Sequence, residues 1–456
     1  MASELVWLRR DLRRRDLPLL AAAADGGGEV AVAFVVDPAL WDPAGAPRRA
    51  WLAATLLALR DSYEGRLTVR TGDPREVVPE LAVELGAKAV HISAETEPDG
   101  SRRDTEVEAA LRQHDIPLVR TGSPYAVTPG RLRKADGKPY RVFTPFLHAW
   151  REHGWRGPAL EPSRLRLAAD RSDPAVWQRI ERTAAATTVP LPAAGEAAAA
   201  QRWSWFLDEA LADYATQRDR PDLDGTSRLS PYLKFGVVHP RTLLADLVGR
   251  TGRGAERFRT ELAWREFYAD VLHHNPASQW DDLTPALASM PYDDDPDRVD
   301  AWRSGRTGFP IVDAGMRHLL AEGWMPNRLR MVVASFLVKH LHTRWQVGAR
   351  HFLDQLLDAD IASNQHGWQW VAGTGTDPAP YFRVFNPTLQ GKRFDPAGDY
   401  VRRWIPELGG IAGAAVHEPW KLTGGERGGY PEPIVDLAYE RAESIARWRA
   451  TRGEGR

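Results

Sequence analysis

Along the first 150 residues, short β-branched apolar runs at 4–8, 30–37, 67–71, 89–93 and 117–120 alternate with stretches spaced for helix at 49–63 and 75–85. Strand-length apolar runs separated by helical segments are the pattern of parallel strands buried on both faces and joined by crossover helices. The expected fold of this part is an α/β doubly wound parallel sheet. No G-x-G-x-x-G follows any of these runs. Gly26, Gly27 and Gly28 precede the second run, so the triplet reads as a turn rather than a dinucleotide fingerprint.

The pattern then changes twice. Residues 157–200 are rich in Pro, Ala, Arg and Ser with little apolar periodicity, which reads as a linker. From Trp203 to about Trp404 helical spacing takes over. Within 327–345, Leu329, Val332, Val333, Phe336, Leu337 and Leu341 recur every three or four positions, one face of a helix. The resulting partition is an α/β domain at 1–130, a linker at 131–200, an all-α domain at 201–448 and a tail at 449–456.

Charge narrows the function classes. Sixty Lys and Arg against 61 Asp and Glu leave a net charge of -1, so affinity for phosphate must come from local clustering. A histone-like protein is excluded. The chain has no cysteine, which removes disulfides, thiolate nucleophiles, cysteine-ligated zinc and iron–sulfur clusters. The N-terminus is charged almost from its start, and no apolar run approaches the roughly 18 residues of a membrane span. The expectation is a soluble, unprocessed cytoplasmic protein. Tryptophan is over-represented, at 18 against 13 Phe and 11 Tyr. Core filling accounts for most of these indoles, and a few fall beside polar residues that suggest chemistry.

Four segments hold such residues. Thr226, Ser227, Arg228, Leu229, Ser230 and Pro231 put three hydroxyls and a cation at a loop-to-helix boundary, where backbone N–H groups, hydroxyls and a guanidinium together can hold a diphosphate. An ordinary Ser/Thr cap is the commoner explanation of such a segment alone. In ELAWREFYAD, Glu261, Trp264, Arg265 and Tyr268 share one helix face, able to stack on a base or simply to form local ion pairs. The stretch 323–350 has Arg328, Arg330, Lys339, Arg344 and Arg350 and no acidic residue, so it is either a polyanion contact or a solvated face. In DADIASNQHGWQW, Asp358 and Asp360 precede Asn364, Trp368 and Trp370. A metal site with His366 is disfavoured because no second His stands at ligand spacing.

These motifs, in this order with TGFPIVDAGMRHL, WMPNRLRM, ASFLVKHL and NQHGWQWVAGTGTDPAPYFRVFNP, give a chain that resembles the photolyase/cryptochrome family, most nearly its bacterial class I cyclobutane pyrimidine dimer photolyases. The resemblance runs from VWLRRDLR to VHEPWKL. It implies an antenna-binding α/β lobe and a helical lobe that buries FAD. In the family, photoexcited reduced flavin gives an electron to the dimer, the ring opens, and the electron returns.

Carried over by motif, Tyr214 and residues Thr226 to Ser230 would contact the FAD phosphates and ribityl chain, with Glu261, Arg265 and Tyr268 beside the cofactor. Asp358, Ala359 and Asp360 would meet its adenosine and isoalloxazine side, and Asn364 would face flavin N5. Ultraviolet-damaged DNA would be met by Glu261 hydrogen-bonding the dimer, Trp264 and Trp370 stacking on it, Asn327 and Met331 beside it, and Arg328 and Arg330 on phosphates. The family's electron chain would map to Trp368, Trp345 and, at its outer position, Tyr292. A Tyr there ends the chain only by losing its proton, which draws in Asp293, Asp294 and Asp295; Trp302 and Trp280 are alternative exits. The segment EPDGSRRD resembles the loop of deazaflavin-binding members, with Asp99 where Tyr is common. It favours 8-hydroxydeazaflavin as antenna over methenyltetrahydrofolate. No metal is expected, and a monomer is. The short C-terminus and the absence of a His pair near Asn327 favour dimer repair over a signalling cryptochrome or (6-4) photoproduct repair.

Overall fold

A computed structural model describes residues 3–376, 383–451 and Gly453. Pro380, Tyr381 and Phe382 of the PYFRVFNP motif, and the end of the expected tail, lie outside the described residues. The chain divides into two compact units, one running to Leu207 and adding Ser227–Pro276, the other comprising Asp208–Thr226 and the rest from Ala277.

The first unit contains the expected parallel sheet. Its strands are β1 (Ser3–Leu8), β2 (Glu29–Val36), β3 (Leu67–Thr71), β4 (Ala87–Ile92) and β5 (Leu118–Arg120), in the order β3-β2-β1-β4-β5. All four pairings are parallel, with Leu5 opposite Ala31 and Val90 opposite Leu118. Leu5, Trp7, Ala31, Ala33, Val90 and Ile92 pack on one face against Val78, Leu81, Val107 and Leu111 of the crossover helices. Strand order reverses between β1 and β4, the switch point where open α/β sheets bind ligands at the carboxyl ends of their strands.

Two expectations need correction in this unit. The supposed linker contains the Pro174–Ala185 helix, capped by the Asp173 side chain, which buries Trp177 and Ile180, and Leu167 adds a parallel bridge to Val30. Two apolar anchors among charged residues were too few to reveal a period. EPDGSRRD is no loop either: Glu97 is the N-cap of the Pro98–Arg112 helix, with Pro98 and Asp99 in its first turn, where a fixed φ and a negative charge both suit a helix start.

The second unit is helical. Its core joins Trp302, Met316, Leu329, Val333, Phe336, Leu337, Leu341, Trp345, Phe352 and Trp368. The apolar face predicted over 327–345 is present but split between the Asn327–Lys339 and Trp345–Gln355 helices. The first ends at Lys339, whose Nζ turns inward to donate to the Ala372 carbonyl at 2.6 Å, and three residues further on His342 takes a left-handed φ of 48°.

Candidate functional site

In the second unit the motif residues converge on the Ile361–Ala372 helix. Asp360 is its N-cap, accepting the Ser363 N–H at 2.9 Å, and Gly373 ends it in the left-handed conformation at φ 89°. These fixed ends set the register of five side chains. Asn364 donates to the Ala349 carbonyl at 3.1 Å and to Gln365 Oε1 at 2.8 Å. Gln365 and Gln369 reach the strap preceding residue 284, donating to the carbonyls of Gln279 at 2.6 Å and Ser278 at 2.7 Å. Two residues apart on a helix means about 200° of rotation, so Trp368 is buried at 3% exposure while Trp370 is half-buried on the other side.

Asp358 lies just before this helix. Its Oδ2 is paired with Arg330 Nη2 at 2.8 Å, whereas its Oδ1 is buried without a hydrogen-bond partner among the described residues. A buried acceptor left unmade is costly unless a donor arrives with a ligand. This orphan oxygen suits the hydroxyl and amino donors of FAD, and neighbouring Ala359 is buried at 3% exposure.

Arg328 and Arg330, expected on phosphates, both have carboxylate partners. Arg330 also donates from Nε to the Met325 carbonyl at 2.8 Å, so its fork is turned toward Asp358. Arg328 pairs with Asp219 at 2.8 Å, and its guanidinium lies 4.3 Å from the centre of the Phe394 ring. Lys339, His340 and His342 are buried as well, so of the five cations in the acid-free stretch only Arg344 and Arg350 are exposed to solvent. Asn327 and Met331 sit one turn apart, with Nδ2 to Sδ at 3.9 Å. Tyr214 is buried beneath Arg218, whose guanidinium is 5.8 Å from its ring centre. Thr226 closes this unit's first segment.

Burial holds the His366 imidazole down to about 4, and its nitrogens are taken by the Ala362 carbonyl at 2.8 Å and the Ser278 hydroxyl at 3.0 Å. Neither is directed to a metal.

The aromatic path is partly assembled. Trp368 meets Phe352 at 5.0 Å and Trp302 at 6.1 Å, both edge-on. Trp345, 1% exposed, donates its indole N–H to Asp282 Oδ1 at 2.7 Å. Tyr292 is half-buried under Arg344, 4.9 Å from its ring centre, and desolvation followed by the nearby Asp282 charge pushes its hydroxyl up to about 12. The acids expected to serve Tyr292 are otherwise engaged: Asp293 pairs with Arg447 at 2.7 Å, Asp295 caps the Pro296–Arg303 helix, and Asp294 lies 3.9 Å from Arg344. Asp282 and Gly348 lie in no sequence motif that signals a role in this path.

In the first unit, Ser227 accepts at its carbonyl from Arg202 Nε at 3.0 Å, and its hydroxyl accepts the Leu229 N–H at 3.4 Å. Arg228 is a non-glycine residue at φ 50°, backbone strain of the kind that marks ligand sites, and Ser230 opens the Ser230–Lys234 helix. The Arg253–His274 helix carries the second motif. Glu261 pairs with Arg257 at 3.0 Å. Trp264 is stacked on Phe143 at 3.6 Å and 8°, a partner missed in the sequence although Phe143 sits in an apolar FTPFLHAW run. Tyr268 lies 5.4 Å from Trp264. Arg265 turns to the Pro124 carbonyl at 3.2 Å and the Leu233 carbonyl at 3.3 Å. The opposite face anchors the preceding loop, as Glu266 accepts from Val127 N–H at 3.0 Å and the Trp150 indole at 2.6 Å.

A cavity of about 430 Å³ in this unit is lined by Trp41, Arg49, Arg179 and Arg182 and contains none of these residues. Asp42 already takes Arg49 at its carbonyl, at 2.9 Å, and Arg179 at its carboxylate, at 3.5 Å.

Comparison with known proteins agrees with both halves. Residues 4–166 match the DNA photolyase family and residues 258–450 match the FAD binding domain of DNA photolyase. A deoxyribodipyrimidine photo-lyase of Streptomyces griseus is 43% identical, covering 99% of this chain and 100% of the relative. The structure of a bacterial class III photolyase from Agrobacterium tumefaciens superposes with a TM-score of 0.91 at 35% identity, covering 99% of this chain and 98% of that one. A Synechocystis cryptochrome gives 0.87 at 28% identity, covering 97% and 98%. By fold, motif order and full-length likeness, this chain belongs to the photolyase/cryptochrome family.

Proposed function

We propose that this chain is a light-driven DNA-repair lyase that splits cyclobutane pyrimidine dimers with FAD as its working cofactor. The observation that carries the reading is the likeness to a deoxyribodipyrimidine photo-lyase along the full length of both chains. When bound and reduced, FAD supplies on illumination the electron that opens the cyclobutane ring. All else falls to the residues.

Asp358 offers its unpartnered oxygen to the cofactor, and Asp360 fixes the helix start so that the Asn364 amide is held in place by the Ala349 carbonyl. Ala359, Tyr214, Thr226, Ser227, Arg228, Leu229, Ser230 and Tyr268 are assigned to holding the same group, and Arg265 to tying the loops beside it. On the DNA side, Glu261 hydrogen-bonds the dimer, Trp264 and Trp370 stack on it, and Asn327 and Met331 line its flank. Arg328, in a partly exposed pair, is kept as a phosphate contact, and Arg330 is reassigned to holding Asp358. A dimer is already poorly stacked, so extruding it costs less than extruding a normal base, and aromatic stacking offsets the rest. Trp368 and Trp345 bring electrons inward, and Tyr292 is assigned to the outer end of that path.

The carboxyl ends of β1 and β4, where EPDGSRRD begins its helix, suit an antenna at the sheet's switch point, with 8-hydroxydeazaflavin favoured over methenyltetrahydrofolate. Among the described residues no helix is long and apolar enough to cross a membrane. The protein is read as a cytoplasmic monomer that joins the nucleoid when bound to damaged DNA. A cryptochrome-type photoreceptor, favoured only by the weaker Synechocystis likeness, shares the flavin but opens no ring. An absorption spectrum of the purified protein tests the first step: a flavin band is expected, and a folded protein that cannot retain FAD contradicts the reading.

A further inference from the structure

The strap at 278–284 carries one carboxylate into the aromatic path. Leu283 N–H is held by Gln369 Oε1 at 2.8 Å and Thr284 N–H by the Thr374 carbonyl at 2.8 Å. On the other side, Gln346 Nε2 donates to the Trp280 carbonyl at 3.1 Å. Asp282 is therefore pinned both to the helix that carries Trp368 and to the helix that begins with Trp345. Its Oδ1 lies 2.7 Å from Trp345 Nε1, a separation at which the indole N–H already points at a proton acceptor. A neutral indole keeps that proton, but an indole that has lost an electron is a far stronger acid.

We propose that Asp282 is the proton acceptor of oxidised Trp345, so that the hole is trapped at this buried indole before it reaches Tyr292. The inference rests on the assignment of Trp368 and Trp345 to electron transfer in the function proposed above. One electron passes from Trp345 to oxidised Trp368, whose own electron has gone to the light-excited oxidised flavin. The Trp345 Nε1 proton moves to Asp282 Oδ1. What remains is a neutral tryptophanyl radical and an uncharged carboxylic acid, with one electron stored at the cofactor and the charge of the Trp345–Asp282 pair changed from -1 to zero. An external thiol later returns the electron to Trp345, and Asp282 returns the proton. At Tyr292 the guanidinium of Arg344 over the ring opposes a hole while the nearby Asp282 charge favours one, and no hydrogen bond that could take the hydroxyl proton is found among the described residues.

The test is transient absorption of the FAD-loaded, oxidised protein, with Asp282→Asn as the main variant because it keeps an acceptor for the indole N–H but takes no proton. Wild type should form a neutral tryptophanyl radical that is absent in Trp345→Phe. In Asp282→Asn the tryptophanyl cation should persist, with deprotonation slowed on the order of 100-fold, the scale of a lost general base. Asp282→Glu should recover part of the rate. Ultraviolet resonance Raman provides a readout independent of photochemistry: the Trp345 N–H signature, found by difference from Trp345→Phe, should report a strong acceptor in wild type. An unchanged deprotonation rate in Asp282→Asn, or in the wild type a tyrosyl radical that vanishes in Tyr292→Phe, overturns the role of Asp282. A wild type that forms no tryptophanyl radical at all overturns the electron path itself.

Discussion

The ring of Trp368 lies directly on Gly348. A Cβ at position 348 would overlap Trp368 Cη2 and Cζ3, and would press on Leu337 Cδ2 at 2.6 Å as well. Only a residue without a side chain lets the Trp345–Gln355 helix come this close. Because Gly348 is three residues from Trp345, one helical turn, the same contact positions Trp345 relative to Trp368.

Gly348→Ala should therefore displace Trp368 or its helix, costing on the order of 1 to 3 kcal/mol as overpacking does. Denaturant unfolding measures the loss, and light-driven reduction of oxidised FAD should slow in parallel. A variant with unchanged stability and photoreduction would show that the contact is easily relieved.

Arg330→Met leaves the Asp358 carboxylate buried with neither oxygen paired. Removing one partner of a buried pair typically costs about 3 to 5 kcal/mol, and the partial exposure of Arg330 places the expected loss near the lower end. FAD should also dissociate more readily, as followed by flavin fluorescence. If the salt dependence of DNA binding flattened while FAD retention stayed the same, Arg330 would be a phosphate contact after all.

Trp264→Ala and Trp370→Ala should each weaken binding of dimer-containing DNA by roughly 1 to 3 kcal/mol while FAD is retained. Phe143→Ala should reproduce part of the Trp264 effect, because the stacked ring that holds Trp264 is lost. Titration of damaged and undamaged duplexes decides this: equal loss on both would make these rings positioning groups rather than lesion readers.

Burial keeps His366 neutral down to about 4, against roughly 6.5 in an unfolded chain. Between those values, acidification protonates the unfolded state but not the folded one, so stability falls with pH by up to about 1.4 kcal/mol per unit from this group. It is fully present above about 6.5 and lost as pH drops toward 4. Unfolding curves at pH 7.5, 6 and 5 should show a shallower decline for His366→Gln than for wild type. Parallel declines would mean that His366 is not the source.

The sheet was legible because its strands are continuous apolar runs, and observed ends lie within two residues of those read from 30–37, 67–71, 89–93 and 117–120. The Pro174–Ala185 helix was not, since Trp177 and Ile180 alone do not make a period. The site was legible as motifs, not as geometry. Nothing near Arg330 in sequence announces Asp358, 28 positions away, and nothing near Trp345 announces Asp282, 63 positions away. Such pairs are made by helix packing, which a linear pattern does not record. Phe143 and Gly348 belong to the same class, for each matters only through the ring resting on it.

The most direct measurement is repair itself. Purified, FAD-loaded, reduced protein should restore dimer-containing DNA under near-ultraviolet or blue light and leave it unchanged in the dark, with Trp368→Phe repairing nearly as well once reduced chemically. Equal activity in darkness, or a flavin-bearing protein that restores no dimer under light, would contradict the account.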